Sequence, residues 1–109
     1  MAHQFNDSEK TIQPSWRNCA SAARQVAGKD PNRSSTLYKT AIAECRITEG
    51  PNSEDLAELC EEFAQLCIFV NSNADAKRYL SQAAQIRLFN QQQNSLQNMQ
   101  RQMQNMPLF

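Results

Sequence analysis

Residues 53–70, SEDLAELCEEFAQLCIFV, decide the fold. Leu56, Leu59, Cys60, Phe63, Leu66, Cys67 and Val70 fall at i, i+3, i+4, i+7, i+10, i+11 and i+14, which is one face of an α-helix. As far as Gln65 the gaps hold only glutamate, alanine and glutamine, so one side turns inward and the other meets water. Glu54 and Asp55 stand in the first turn, where negative charge suits the positive end of the helix dipole, with Asn52 or Ser53 as cap. Downstream, Asn71-Ser72-Asn73 forms a short turn, and Ser72 with Asp75 resembles a capping box that opens another helix. In it Ala76, Tyr79, Leu80, Ala83 and Ile86 face inward, and Lys77, Arg78, Gln82 and Gln85 face water. So short a link makes the two helices antiparallel neighbours.

Upstream, a helix is expected from Arg33 to Glu49, with Leu37, Tyr38, Ala41, Ile42 and Cys45 as its apolar stripe and Gly50-Pro51 as its stop. Before it, Pro14 to Ala27 reads as a helix with Trp16, Cys19, Ala20, Ala23 and Val26 on one side, ended by Gly28-Lys29-Asp30-Pro31-Asn32. Residues 1–12 carry no sustained period and read as a disordered leader. The expected architecture is all-α: stacked antiparallel helical hairpins over residues 13–89, then a Gln/Asn-rich helical extension over 90–109. A chain of 109 residues has room for one domain with a core of its own.

Eleven basic residues balance eleven acidic ones, so no net field recruits nucleic acid or an anionic membrane, and neither is expected as a partner. No apolar run is long enough to span a bilayer, and Met1 to Lys10 is too polar for a signal peptide, so a cytoplasmic location is expected. In that compartment Cys19, Cys45, Cys60 and Cys67, all on apolar helix faces, should be reduced and buried. They lack the close pairing of a structural zinc site, and the only histidine, His3, lies in the leader, remote from any thiol it could activate. No catalytic site, cofactor or metal is therefore expected. The acidic group Glu54, Asp55, Glu58, Glu61 and Glu62 reads as the solvated face and first turn of its helix, and Trp16 as packing for the N-terminal helix.

Residues 50–88, GPNSEDLAELCEEFAQLCIFVNSNADAKRYLSQAAQIRL, resemble a tetratricopeptide repeat, specifically the longer-period variety of kinesin light chains. Phe63 and Ala64 match that family's large-then-small pair on the first helix; Ala76, Leu80 and Ala83 match the alanines flanking a large residue on the second. A weaker copy lies 42 residues upstream, where Tyr38 takes the place of Leu80 and Ala41 that of Ala83, although the helix before it fits poorly. Cys60 and Cys67 depart from the family's large aromatics, Asn73 from its turn tyrosine, and Ser34 from its first alanine. The resemblance implies a binding or assembly role with a protein or peptide partner held on the face lined by the first helices. Arg17, Arg24, Glu58, Glu62 and Gln65 are the candidate contacts there.

After Phe89, Leu96, Met99, Met103 and Met106 alternate at three and four residues among glutamines and asparagines, and Gln92 holds the seam one heptad before Met99. Helix is expected to continue to Pro107 and to bury this seam, either in a homo-oligomer through Phe89, Leu96, Met99, Met103 and Met106 or by folding back on the hairpins. Self-association is preferred because the spacing is that of a coiled coil; a disordered glutamine-rich tail is the alternative.

Overall fold

The computed structural model of the chain describes residues 15–104, which are all-helical with no strand among them. Four helices follow one another: α1 (Ser15–Val26), α2 (Pro31–Glu49), α3 (Glu54–Phe69) and α4 (Asn73–Gln104). The leader, Pro14, Met106 and the stop at Pro107 lie outside the described residues.

Two contacts set α1 antiparallel to α2. Trp16, at the start of α1, donates its indole N–H to Glu49 at the end of α2 (3.3 Å), and Ser34, early in α2, donates to the Ala23 carbonyl late in α1 (2.8 Å). In the same way Phe63 meets Tyr79 edge-on (4.7 Å between ring centres), and Asn90, far along α4, donates to the Asn52 carbonyl just before α3 (3.0 Å). Tyr38 stacks on Phe63 at 5.7 Å, so an aromatic series Tyr38–Phe63–Tyr79 runs through α2, α3 and α4. Around it lie Trp16, Ile42, Leu56, Leu59 and Leu66, all buried, each stabilising the fold by about 1.5–3 kcal/mol through removal of apolar surface from water. Alanines at 20, 23, 41, 57, 64, 76 and 83 are buried too, which lets the backbones approach closely. Ser34 is the one fully buried polar side chain among the described residues, and its bond to Ala23 supplies the partner a hydroxyl needs there.

The caps differ in part from expectation. α2 begins at Pro31, two residues before the expected Arg33, because Asp30 accepts the Arg33 N–H (3.2 Å) and Pro31 takes the first helical turn. Ser53 caps α3, accepting the Leu56 N–H at 3.1 Å. Its far end closes as a Schellman turn: Asn71 adopts φ 65°, Ser72 N–H bonds the Cys67 carbonyl (2.7 Å) and Asn71 N–H the Ile68 carbonyl (3.0 Å). Ser72 then meets Asp75 side chain to side chain at 3.1 Å. Gly50, at φ 100°, makes the bend that separates the hairpins.

Two residues expected to face inward do not. Val70 is 44% exposed because it sits in the turn after α3, and Leu80 is 40% exposed because it lies on the side of α4 away from the first hairpin. Tyr38, its counterpart 42 residues earlier, is 5% exposed because Phe63 covers it. α4 is the dominant feature of shape: 32 residues span about 48 Å, while the 16 of α3 span about 24 Å, so half of α4 overhangs the hairpins. The helix crosses residue 89 without a break, joining the expected domain and its extension. None of the described helices is long and apolar enough to cross a membrane.

Candidate functional site

α1 carries Arg17 and Arg24 seven residues apart, and α3 carries Asp55 and Glu62 at the same interval. Seven residues are close to two helical turns, so each pair points the same way, and parallel helices can match them rung for rung. Arg17 Nη2 stands 3.5 Å from Asp55 Oδ2. Arg24 grips Glu62 with both arms, Nε at 2.7 Å from Oε1 and Nη2 at 3.0 Å from Oε2. The Tyr38 hydroxyl donates to the same Glu62 Oε1 at 3.2 Å. Glu62 thereby ties α1, α2 and α3 together. Its hydrogen bond raises the Arg24 guanidinium still further above its ordinary value. Burial, followed by the charge of Glu62, pushes the Tyr38 phenol up to about 12.

Of the five candidate contacts, three are thus engaged within the chain. Arg17 also lies over the Trp16 ring at 4.4 Å, so its charge is held on both sides. Glu58 and Gln65 remain on the exposed surface of α3, and Glu58 makes no ion pair among the described residues. A shallow groove of roughly 540 Å³ opens beside the Arg24–Glu62 pair, floored by Ala27, Tyr38 and Leu66 and rimmed by Gln65 and Phe69. Tyr38, Asp55 and Phe69 belong to this face and were not among the expected contacts. The matching seven-residue intervals of Arg17/Arg24 and Asp55/Glu62 were the sequence signal for the rungs.

The acidic group on α3 is paired more than a solvated face implies. Arg87 bridges Glu54, at 3.3 Å, and Glu61, and Asn90 adds a hydrogen bond to Glu54 (3.1 Å), which with Arg87 holds that carboxyl below its ordinary value. The four cysteines are free thiols; Cys45, Cys60 and Cys67 are buried and Cys19 is half-buried. Burial raises all four, Cys60 to about 11, the reverse of what a nucleophilic or metal-binding thiolate requires. Among the described residues, no three His, Cys, Asp or Glu side chains converge as a metal site would need.

On α4 every residue from 91 to 104 is exposed. Leu96, Met99 and Met103 are 52%, 57% and 66% exposed, and Leu88 and Phe89 stand open at the top of the seam. This overturns the fold-back alternative for these residues: as far as Gln104 the helix continues unbroken from Ile86, whose side chain is the last apolar one buried against the hairpin. It equally replaces the disordered tail with helix as far as Gln104. Met106 lies beyond the described residues. No family model, no characterised protein and no solved structure matches the chain.

Proposed function

We propose that the chain is a non-enzymatic protein-interaction module of the tetratricopeptide kind, assembling through the apolar seam of α4. The observation that carries this is the seam itself: Leu96, Met99 and Met103 stand exposed on a continuous helix, uncovered by any other of the described residues. A lone helix with so narrow an apolar stripe gains little from its own contacts in water, whereas a second helix would bury the stripe.

The hairpins support the family reading through their small residues. Ala64, Ala76 and Ala83 are 0%, 4% and 1% exposed, and Ala23, Ser34 and Ala41 are all 0% exposed. Ala23 thus stands for Ala64 at an interval of 41, and Ser34 and Ala41 for Ala76 and Ala83 at 42, because α1 ends at Val26, soon after Ala23, while α3 runs on to Phe69. That earlier end is why the first helix fits a fixed period poorly. A peptide on the α1–α3 face is the lesser reading, because Arg17, Arg24 and Glu62 would have to leave one another to hold it.

Sedimentation across a concentration series tests the proposal. The mass should rise toward an oligomer, and changing Met99→Lys and Met103→Lys together should return it to one chain with the helicity of the hairpins intact. A wild-type chain that stays monomeric at every concentration, or a double variant that still associates, refutes it.

A further inference from the structure

From the seam we infer that α4 pairs with a second copy of itself, parallel and in register, with the two Gln92 side chains facing each other. This deepens the proposal above and rests on it.

Three features favour an identical helix as the occupant. Between Leu88 and Gln104 the sequence holds a single charge, Arg101. On a helix it falls on the side opposite Leu96, Met99 and Met103, so two copies meet without like charges at the seam. The neighbouring glutamines and asparagines carry no charge that would select a different partner. Lastly, the seam contains one polar residue, and Gln92 is best satisfied by another side-chain amide, since each can donate to the other.

Orientation follows from where Gln92 would go. Phe89, Gln92, Leu96, Met99 and Met103 occupy successive seam positions. In a parallel pair in register each meets its own copy, so the apolar layers and the amide layer match together. An antiparallel pair centred between Leu96 and Met99 keeps those two apolar but sets each Gln92 against Met103, stranding both amides against thioethers. An antiparallel pair centred on Gln92 restores the amides, yet it moves Met99 onto Gln85 and Met103 onto Ser81, both exposed polar positions beside the hairpin. Only the parallel register satisfies both requirements. It also places both pairs of hairpins at one end of the rod.

Cross-linking reads this directly. With Cys19, Cys45, Cys60 and Cys67 replaced by alanine or serine and folding checked by far-UV ellipticity, Met99→Cys alone should oxidise rapidly to a covalent dimer. An equimolar mixture of Leu96→Cys and Met99→Cys chains should yield mainly the two homodimers. Gln92→Leu in the otherwise native chain should tighten association about tenfold or more and admit antiparallel or larger species, as removing a lone polar layer does. A dimer in which the 96–99 heterodimer forms fastest, or in which Gln92→Leu weakens association, overturns the orientation while leaving association standing. A monomer by sedimentation removes both.

Discussion

Replacing Glu62 by Gln removes one charge and leaves the shape, which isolates what that carboxylate does between three helices. At neutral pH the wild type has the two-armed bond from Arg24 and the bond from the Tyr38 hydroxyl. The Arg24 and Glu62 side chains are 51% and 34% exposed, so solvent screening holds their pair to about 0.5–1 kcal/mol even with good geometry. The Tyr38 bond is better shielded, and a bond to a charged acceptor contributes about 1.5–3 kcal/mol against about 1 kcal/mol for the neutral one that Gln can keep. The expected loss for Glu62→Gln is therefore about 1–3 kcal/mol.

The same site predicts how that loss changes with pH. Tyr38 is pushed up to about 12 in the folded chain, first by burial and then by the charge and hydrogen bond of Glu62. A raised folded value means the contribution is fully present below the unfolded value near 10 and is lost as pH climbs through 12. Above 10 the unfolded chain releases the phenolic proton while the folded one keeps it, so stability falls. Glu62→Gln leaves the burial but removes the charge, so the variant loses less over this interval and the gap to wild type narrows. Cys60, raised to about 11, titrates in the same range in both proteins and cancels in the difference. Urea unfolding of wild type, Glu62→Gln, Tyr38→Phe and the double variant, at neutral pH and again above 10, gives the coupling energy by double-mutant cycle. A coupling near zero at neutral pH, or one that grows in alkali, refutes the hub.

Two further outcomes test the core. Ala83→Leu should lower stability by about 1–3 kcal/mol in chemical unfolding, because the site is 1% exposed between α3 and α4 and has no room for three more carbons; unchanged stability would mean the helices do not approach closely there. With a thiol reagent on the folded protein, half-buried Cys19 should react first and Cys60 last, since Cys60 is 0% exposed and its thiol is raised to about 11; all four should react once the chain is unfolded.

What the sequence made legible was whatever a local period encodes. The seven apolar positions from Leu56 to Val70 mark one helix face, and six of them are buried. A period marks a face, however, and is silent about what covers it, so Val70 and Leu80 look like core in sequence and stand half open in the fold. Asp30-Pro31 is ambiguous for a different reason: in sequence the pair marks a stop for the helix before it, and in the fold it caps and opens the helix after it. The candidate face was visible as residues on first helices, whereas its pairings depend on the relative height of α1 and α3, which two loops and the packing between them decide. The heptad seam was visible as well, and its coiled-coil spacing favours self-association, but spacing alone does not fix the path that the helix takes past Ile86.

The two ends of the hairpin stack bear on the proposal that α4 is the assembling surface. On the register in which Ala23 stands for Ala64, the α3 residues packed against the first hairpin are Leu56, Leu59, Phe63 and Leu66, all buried. Their α1 counterparts are Ser15, Asn18, Ala22 and Gln25, three of them exposed and only Ala22 half-buried. A preceding hairpin would meet three exposed polar side chains there and a single small apolar one. At the opposite end, Ala20 and Cys45 are covered by the second hairpin, and their counterparts are Glu61 and Arg87, an ion pair at the surface. A following hairpin would have to take that pair out of water, a cost its Coulomb attraction does not reliably return. Polar residues at one end and a salt bridge at the other therefore disfavour end-to-end growth, whereas the apolar stripe of Leu96, Met99 and Met103 stands open on the projecting half of α4.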